Sequence, residues 1–494
     1  MSTTEPSALD TSAASPGDRL DPRNRSVITL LLISAFVVIL NETILSVALP
    51  PIMDDLSLPE TTAQWLTTAF MLTMAVVIPT TGFMIARLSI RQVFTAAMVL
   101  FLVGTAICAV SPTFAPLLLG RIVQACGTAI MMPLLMTTVM NLVPASQHGR
   151  VMGNISIVIS VAPALGPTIS GAILQVLPWR FLFIVVLPIA AIALVLGLRR
   201  MQNVTEPVHS RLDVLSVVLS AIGFGTLVYG LYSLGGRDGG VPLPVALGCL
   251  AVGVVALAVF VLRQRRLQED EGALLDLRTL AHRNFAVATA LMIVMMGSLF
   301  GMVVLLPIYL QDSLALPTLS VGLLLLPGGL LMGLAAPFVG RMYDRVGPRP
   351  LLVPGLATVS VGMLVLSAGV VLGLWPIVLM AHLIISAGLA CVFTPLFTNA
   401  LGSLPPHLYS HGSAIVGTVQ QVAGAAGTAL MVAIMATRSG AVMAHGASTA
   451  DGITSGTALA FLISAVLAAS GIVLAAFVRR NPGEAGSRPE PITE

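Results

Sequence analysis

Hydrophobic residues run along this chain in blocks of about 20, and polar residues collect in the short gaps between them. A helix rising 1.5 Å per residue needs about 20 apolar residues to cross a hydrocarbon core of about 30 Å. The blocks therefore predict about 14 spanning helices, from 27–49 at the start to 320–340, 411–436 and 456–478 in the last third. A two-residue alternation is absent, which excludes a membrane barrel. The fold class expected is an all-α polytopic membrane protein, and an even number of spans puts both termini on one side.

The first block carries an irregularity. Residues 27–51 read VITLLLISAFVVILNETILSVALPP, and Asn41 and Glu42 interrupt the apolar run. Glu42 is the one carboxylate placed well inside any of the blocks. A carboxylate facing hydrocarbon costs several kcal/mol unless it is paired, hydrated or protonated, so its default reading is functional. Glu42 and Ser46 lie one helical turn apart, and Ser34 and Asn41 two turns apart. This polar stripe is expected to face a cavity or a neighbouring helix.

Composition agrees with a membrane chain: of 494 residues, 56% are hydrophobic and 9% charged, and the mean hydropathy is +0.99. Soluble proteins carry about 25% charged residues. The net charge of +3 matters less than its placement, because all 24 basic residues are arginine. Without lysine there is no P-loop lysine for an ATP-driven pump and no Schiff-base lysine. No cofactor is expected, and whatever energy drives the protein is not bound through a phosphate-cradling loop of its own. With the N-terminal tail inside, 20 of the 24 arginines fall on the cytoplasmic side; Arg121 lies in a span, and Arg180, Arg237 and Arg438 lie outside. That bias sets the expected orientation. Trp65, Trp179 and Trp375 fall at outer helix ends, as an interfacial belt would place them. Cys108, Cys126, Cys249 and Cys391 are dispersed, with no C-x-x-C pair, so neither a metal site nor a disulfide is expected.

The chain also echoes itself. Gly82-Phe-Met-Ile-Ala-Arg87-Leu-Ser-Ile-Arg91 follows the second block, and Gly340-Arg-Met-Tyr-Asp344-Arg345-Val-Gly347-Pro-Arg349 follows the tenth. Both read G-x-M-x-x-R-x-x-x-R, and both are expected in short cytoplasmic turns. A repeated six-helix unit follows, since repeated halves with the substrate site between them are common in secondary transporters. The expected organisation is a disordered cytoplasmic tail (1–26), an N-terminal half (27–200), two inserted helices (213–262), an Arg-rich cytoplasmic connector (263–285), a C-terminal half (286–478) and a cytoplasmic tail (479–494).

These features resemble the major facilitator superfamily, in its 14-helix drug:proton antiporter branch. Gly340–Arg349 is close to that family's signature G-x-L-x-D-R-x-G-x-R. Leu119-Gly-Arg121-Ile-Val-Gln124-Ala-Cys-Gly127 resembles its fourth-helix motif. Ala162-Pro-Ala-Leu-Gly166-Pro167-Thr-Ile-Ser-Gly171, followed by Trp179-Arg-Phe181, resembles its fifth-helix antiporter motif, and Leu40–Pro50 resembles its first-helix pattern L-D-x-T-I-V-N-V-A-L-P. The chain departs from the family at Asn41, which replaces the first-helix aspartate, and at Ser46, which replaces an asparagine. It departs again at Ala86 and Ser89 in the first signature, where aspartate and glycine stand in the family.

The resemblance implies two rocking six-helix halves plus two inserted helices, working as a proton-coupled exporter in the bacterial inner (plasma) membrane. The expected partners are protons, a small amphiphilic substrate and the lipid bilayer, with no nucleic acid, and the expected state is a monomer. A dedicated lipid or natural-product exporter, or a non-transporting sensor or scaffold, would share the same motifs. Glu42 lies roughly 12 Å, and Arg121 roughly 9 Å, from the outer ends of their helices. They can therefore form either a proton-coupling pair or a structural polar clamp. Arg121, Gln124 and Thr128 share one helix face by their i, i+3, i+7 spacing. His382 is a weaker coupling candidate. Asn41, Ser46, Gln124, Thr128, Asn399, Gln420 and Gln421 are candidates to line a cavity. Gly82, Arg87, Arg91, Gly340, Asp344, Arg345, Gly347 and Arg349 form the gate candidates, with Asp344 expected to meet a helix N-terminus or an arginine. Gly166, Pro167 and Gly171 form the bendable, close-packing motif, with Gly417, Gly424 and Gly427 as its expected counterpart.

Overall fold

A computed structural model of the protein describes residues 21–201, 213–235, 241–270 and 272–480. Apart from single-turn pieces, it consists of 14 long helices, each apolar enough over at least 18 residues to cross a membrane, and the described residues contain no strand. The first six are α1 (Pro22–Leu56), α2 (Trp65–Arg87), α3 (Ile90–Val110), α4 (Phe114–Leu142), α5 (His148–Leu174) and α6 (Phe181–Arg200). Next come α7 (Val214–Gly235) and α8 (Leu243–Leu267). The last six are α9 (Arg283–Ile308), α10 (Thr318–Val346), α11 (Arg349–Leu372), α12 (Trp375–Gly402), α13 (Tyr409–Met443) and α14 (Thr449–Ala475).

Helix ends differ from the hydrophobic blocks where polar residues extend a helix past the apolar run. Helix α1 continues through Pro50 and Pro51 to Leu56, and it begins at Pro22, capped by Asp21. Residues 22–26, expected in a disordered tail, are therefore helical, whereas most of that tail and all of 481–494 fall outside the described residues. Gly340–Val346 forms about the last two turns of α10, not a connecting turn between helices. Gly82–Arg87 likewise ends α2. Only Gly347 and Pro348 form the second turn, and Gly347 has φ +81°, which favours glycine. At the equivalent place Ser89 has φ −64° and caps α3 through a reciprocal box with Gln92, so no glycine is needed.

Helices α1–α6 and α9–α14 form two bundles that meet along two seams. In one seam α5 lies on α10: a Cβ on Gly340 would strike the Gly149 carbonyl, one on Gly153 would come within 2.7 Å of the Ala336 carbonyl, and one on Gly329 would strike Ala164. In the other, α2 lies on α13: a Cβ on Gly82 would come within 3.1 Å of the Ser410 carbonyl, and one on Gly417 within 3.0 Å of Ile78. Such close backbone approach is how helices associate in lipid, where the hydrophobic effect supplies no drive. The two seams use equivalent repeat positions, Gly82 and Gly340, against the starts of equivalent helices, α13 and α5.

The inserted hairpin α7–α8 lies across α2 and α13. Gly225 of α7 faces Val76 of α2, and Trp65 stacks on Tyr229 with ring centroids 5.9 Å apart. Its ends are tied down. Arg263 donates to both oxygens of Asp213 at 2.6 and 2.9 Å, and these bonds hold the Asp213 carboxyl well below the usual carboxylate range. Gln264 accepts from the Leu274 and Leu275 amides at 2.7 and 3.2 Å and donates to Ser216. The connector then reaches α13, where the Asp276 amide donates to His411 Nδ1 at 3.4 Å.

Of the three tryptophans, Trp65 and Trp375 are exposed, as an interfacial belt would have them. Trp179 is buried instead. Its indole donates to Asp55 Oδ2 at 3.0 Å, and Arg180 donates to the same oxygen at 2.8 Å. The extension of α1 beyond Pro51 brings Asp55 there.

Candidate functional site

On α1, Glu42 sits 14 residues from Leu56, about 21 Å along the helix. Its burial is intermediate, and it has no ion pair within 4 Å among the described residues. Its neighbours on the stripe are more enclosed. Asn41 is 2% exposed and Ser34 fully buried, and the polar side-chain atoms of both lack any hydrogen-bond partner. An orphaned buried polar group costs about 1–3 kcal/mol, so such a pair marks a place where something polar is accommodated. The backbone of Ser46 continues the same helix.

Arg121 is the cationic group that acts electrostatically on Glu42. It is 1% exposed on α4 and its guanidinium is committed locally. Nη1 donates to Gln124 Oε1 at 2.6 Å, Nε donates to the Leu66 carbonyl at 3.4 Å, and the Phe70 ring lies 4.0 Å away in a cation–π contact. Gln124 Nε2 donates onward to Thr105 of α3 at 2.7 Å, and Thr128 donates to the Gln124 carbonyl at 3.0 Å. The face shared by Arg121, Gln124 and Thr128 is thus one connected network. A direct Glu42–Arg121 bridge, open from the helix depths, is not formed, because α4 and its neighbours satisfy the guanidinium. Thr105 and Phe70 had no sequence signal beyond their place in apolar runs.

The antiporter motif packs beside Glu42. A Cβ on Gly166 would strike Thr43 Oγ1, so α5 meets α1 one residue from the carboxylate. Ala162, Gly166 and Ser170 are all buried, as their four-residue spacing suggests, whereas Gly171 makes no close approach. Pro167 lies inside α5. In the second half a Cβ on Gly427 would strike the Gly297 backbone and one on Gly424 would come within 3.1 Å of Phe300, both on α9. Gly417 turns to α2 instead.

At the end where most arginines cluster, the halves are clasped. Asp344 Oδ1 accepts from the Gly149 amide at 2.8 Å and Oδ2 from the Arg150 amide at 2.9 Å. A carboxylate on two free amides at a helix N-terminus is favourable both as a hydrogen-bond acceptor and as a charge against the helix dipole. Two further bonds cross between halves near this end: Thr137–Ser413 at 2.7 Å and Ser156–Thr394 at 2.8 Å. Ala86 offers no carboxylate to α13. Beside it Arg87 stacks 4.2 Å over Phe83, and its Nε and Nη2 have no partner. Arg91 and Arg345 are exposed, and Arg349 donates to the Val478 carbonyl at 2.6 Å. Toward the opposite end the α5–α10 contact fades, for a Cβ on Gly171 or Gly322 would meet nothing within 4 Å.

The remaining candidates are dispersed. His382 packs on Gly328, with Nε2 3.2 Å from the Leu325 carbonyl and Nδ1 unpartnered. Gln420 and Gln421 are partly buried on α13, and Gln421 reaches Met74 Sδ at 3.8 Å across the α2 seam. Asn399 donates to the Arg479 carbonyl at 3.0 Å.

Two helical bundles of one repeated plan, clasped at one end around a buried polar core, define a multi-pass membrane transporter rather than an enzyme. The comparisons narrow this. The sequence profile described as the Major Facilitator Superfamily matches residues 31–428, and the chain belongs to that family. It is 37% identical over 463 residues to the lincomycin resistance protein LmrB of Listeria monocytogenes, covering 92% of this chain and 96% of that one. It is 39% identical over 471 residues to the MFS-type transporter YcnB of Bacillus subtilis, covering 95% and 98%. Among solved structures, the human organic anion transporter MFSD10 superposes with a TM-score of 0.68 at 15% identity, covering 92% of this chain and 100% of that one. That last likeness is one of fold alone. Fourteen spans and bacterial relatives make this a multi-pass protein of the bacterial plasma membrane.

Proposed function

We propose that the protein is a proton-coupled antiporter that exports amphiphilic neutral or monocationic small molecules, with its arginine-rich end in the cytoplasm. The observation that carries this reading is Glu42: a partly exposed carboxylate deep in α1, without an ion pair, beside the α5 contact at Gly166 and within the field of Arg121. Its proton occupancy depends on local hydration and on its distance from Arg121, and both change if α1 and α5 shift as the halves rock. A cycle in which Glu42 takes a proton from outside and releases it inside couples the two fluxes.

The energetics suffice. One proton moving inward supplies about 2.3 kcal/mol per 100 mV and about 1.4 kcal/mol per pH unit. A tenfold uphill gradient of a neutral substrate costs about 1.4 kcal/mol. The placement of arginines supports the orientation. With Asp344 clasping α5 at that end, the described conformation is then closed to the cytoplasm. Relatives named for lincomycin and multidrug resistance support a drug-like cargo.

The test is dye efflux from vesicles with an imposed pH gradient, wild type beside Glu42→Gln. The variant is expected to lose pH-driven efflux at unchanged protein level. Full proton-driven export by Glu42→Gln would refute the coupling role.

A further inference from the structure

Helices α5 and α13 carry the same dipeptide in their first turn, His148-Gly149 and His411-Gly412. His148 turns back on its own chain, with Nε2 2.8 Å from the Val143 carbonyl. His411 instead faces the connector that follows α8. Its Nδ1 accepts from the Asp276 amide at 3.4 Å, and the Leu274 backbone is the ring's other hydrogen-bond partner. A neutral imidazole with its proton on Nε2 satisfies both contacts at once.

The connector is firmly seated. Ala273, Leu274, Leu275 and Asp276 are each no more than 5% exposed. Gln264 holds the Leu274 and Leu275 amides and passes the connection to Ser216 of the hairpin. His411 is thus where hairpin and connector are tied to α13, in the very turn that packs on α2. A Cβ on Gly82 would come within 3.2 Å of the His411 Cα. Ala86 supplies no carboxylate at this seam, so the tie through the imidazole is the polar contact found there in place of a clasp like that of Asp344.

An imidazole holds differently from a carboxylate, because one proton turns its acceptor nitrogen into a donor. The ring is partly buried, so solvent protons reach it. The ionisable groups acting on it are Asp276 and Arg278 of the connector and His407 of the turn before α13. Arg87, at the end of α2, stacks on Phe83. The Asp276 carboxylate is already taken. Arg278 Nε donates to its two oxygens at 3.0 and 2.9 Å, Nη2 at 2.5 Å and the Arg278 amide at 2.9 Å. A proton on Nδ1 therefore sets N–H against the Asp276 N–H and deletes the bond to the connector.

We propose that His411 is a positioning residue at the α2–α13 seam: its neutral ring holds the connector on the first turn of α13, and protonation from the solution at the arginine-rich end releases it. This switch is separate from the coupling carboxylate on α1 and acts on the opposite seam.

The experiment is amide exchange of the full chain in detergent, read by mass spectrometry in peptide 272–282 as protection relative to the intrinsic rate at each pH. At pH 8 His411→Asn, whose side-chain oxygen can accept from Asp276, should match wild type. His411→Leu should lose protection about three- to tenfold, as expected for one neutral hydrogen bond. Between pH 8 and pH 5, across the imidazole range, wild type should fall toward His411→Leu while His411→Asn holds. His407→Asn, in the exposed turn before α13, should follow wild type throughout. Equal protection of wild type and His411→Leu at pH 8 would show that the ring does not hold the connector. If His411→Leu fails to fold, wild type against His411→Asn decides alone. An acid response shared by those two proteins, or abolished in His407→Asn, would overturn the proposal.

Discussion

Asp344→Asn is the sharpest perturbation of the clasp. The carboxylate accepts from two amides at the start of α5, Gly149 at 2.8 Å and Arg150 at 2.9 Å. Asparagine keeps one acceptor but turns an NH2 toward the other amide and removes the charge that the helix dipole favours. Hydrogen bonds to charged groups contribute about 1.5–3 kcal/mol each when buried. Asp344 is only half-buried, so a loss of about 1–3 kcal/mol is the reasonable range for the pair together. Spread over a two-state equilibrium, that is about 5- to 150-fold toward the unclasped state. Hydrogen exchange read by mass spectrometry reports it directly. Peptides covering 148–156 should exchange faster by up to that factor, and so should 394–413, which holds Thr394 and Ser413 of the other cross-half bonds. The α11 core, which makes none of these contacts, should not change. Equal exchange of 148–156 in wild type and Asp344→Asn would show that the carboxylate does not hold the two halves together.

Two further outcomes follow from the same geometry. Ala86→Asp places a carboxylate at the equivalent position facing the start of α13, where Gly82 already meets the Ser410 carbonyl. It is expected to protect residues 409–413 from exchange and to slow transport by strengthening the clasped state, and unchanged protection and rate would contradict the equivalence of the seams. At the opposite end, the Trp179 indole and Arg180 hold the Asp55 carboxyl below its usual range. A depressed carboxyl stabilises the fold above its unfolded-state pKa, and that gain is lost as pH falls through the folded one. Asp55→Asn should therefore destabilise the fold slightly at neutral pH, by under about 1 kcal/mol for so exposed a pair, which reads as a small drop in Tm. The difference from wild type should shrink as pH falls below about 4 and vanish only below the lowered folded-state pKa, and a deficit that persists there would rule out the charge as its origin.

Much of this molecule was readable from apolar run lengths, because a bilayer demands them and little else competes. Charge within those runs was equally legible: Glu42 and Arg121 stand out against hydrocarbon whatever surrounds them. Their partners were not. Arg121 is satisfied by Gln124 on its own helix, which spacing suggests, but also by Leu66 and Phe70 from α2, some 50 residues earlier, and only packing reveals that. Thr43 has no signal in the sequence, because a threonine in an apolar run stands out only once Gly166 is packed against it. The charges of the Gly340 signature read as a short turn, yet charged residues suit equally a helix end that emerges from the membrane. Asn399 reads as a cavity candidate, and its bond to the Arg479 carbonyl has no sequence signal, since uncharged amides bridge backbone as readily as they meet ligands.

The seat of α7 across α2 and α13 makes the two flanks of the transporter unequal. A protein carrying only the two six-helix bundles would expose both meeting lines to surrounding lipid. Here one of them is walled off by a hairpin strapped through Gln264 and the connector to α13, and acyl chains touch the junction only along α5 and α10. A greasy compound dissolved in the leaflet thus has a single side from which to approach, and the close-packed glycines at positions 149, 153, 329 and 340 are the threshold it would have to cross.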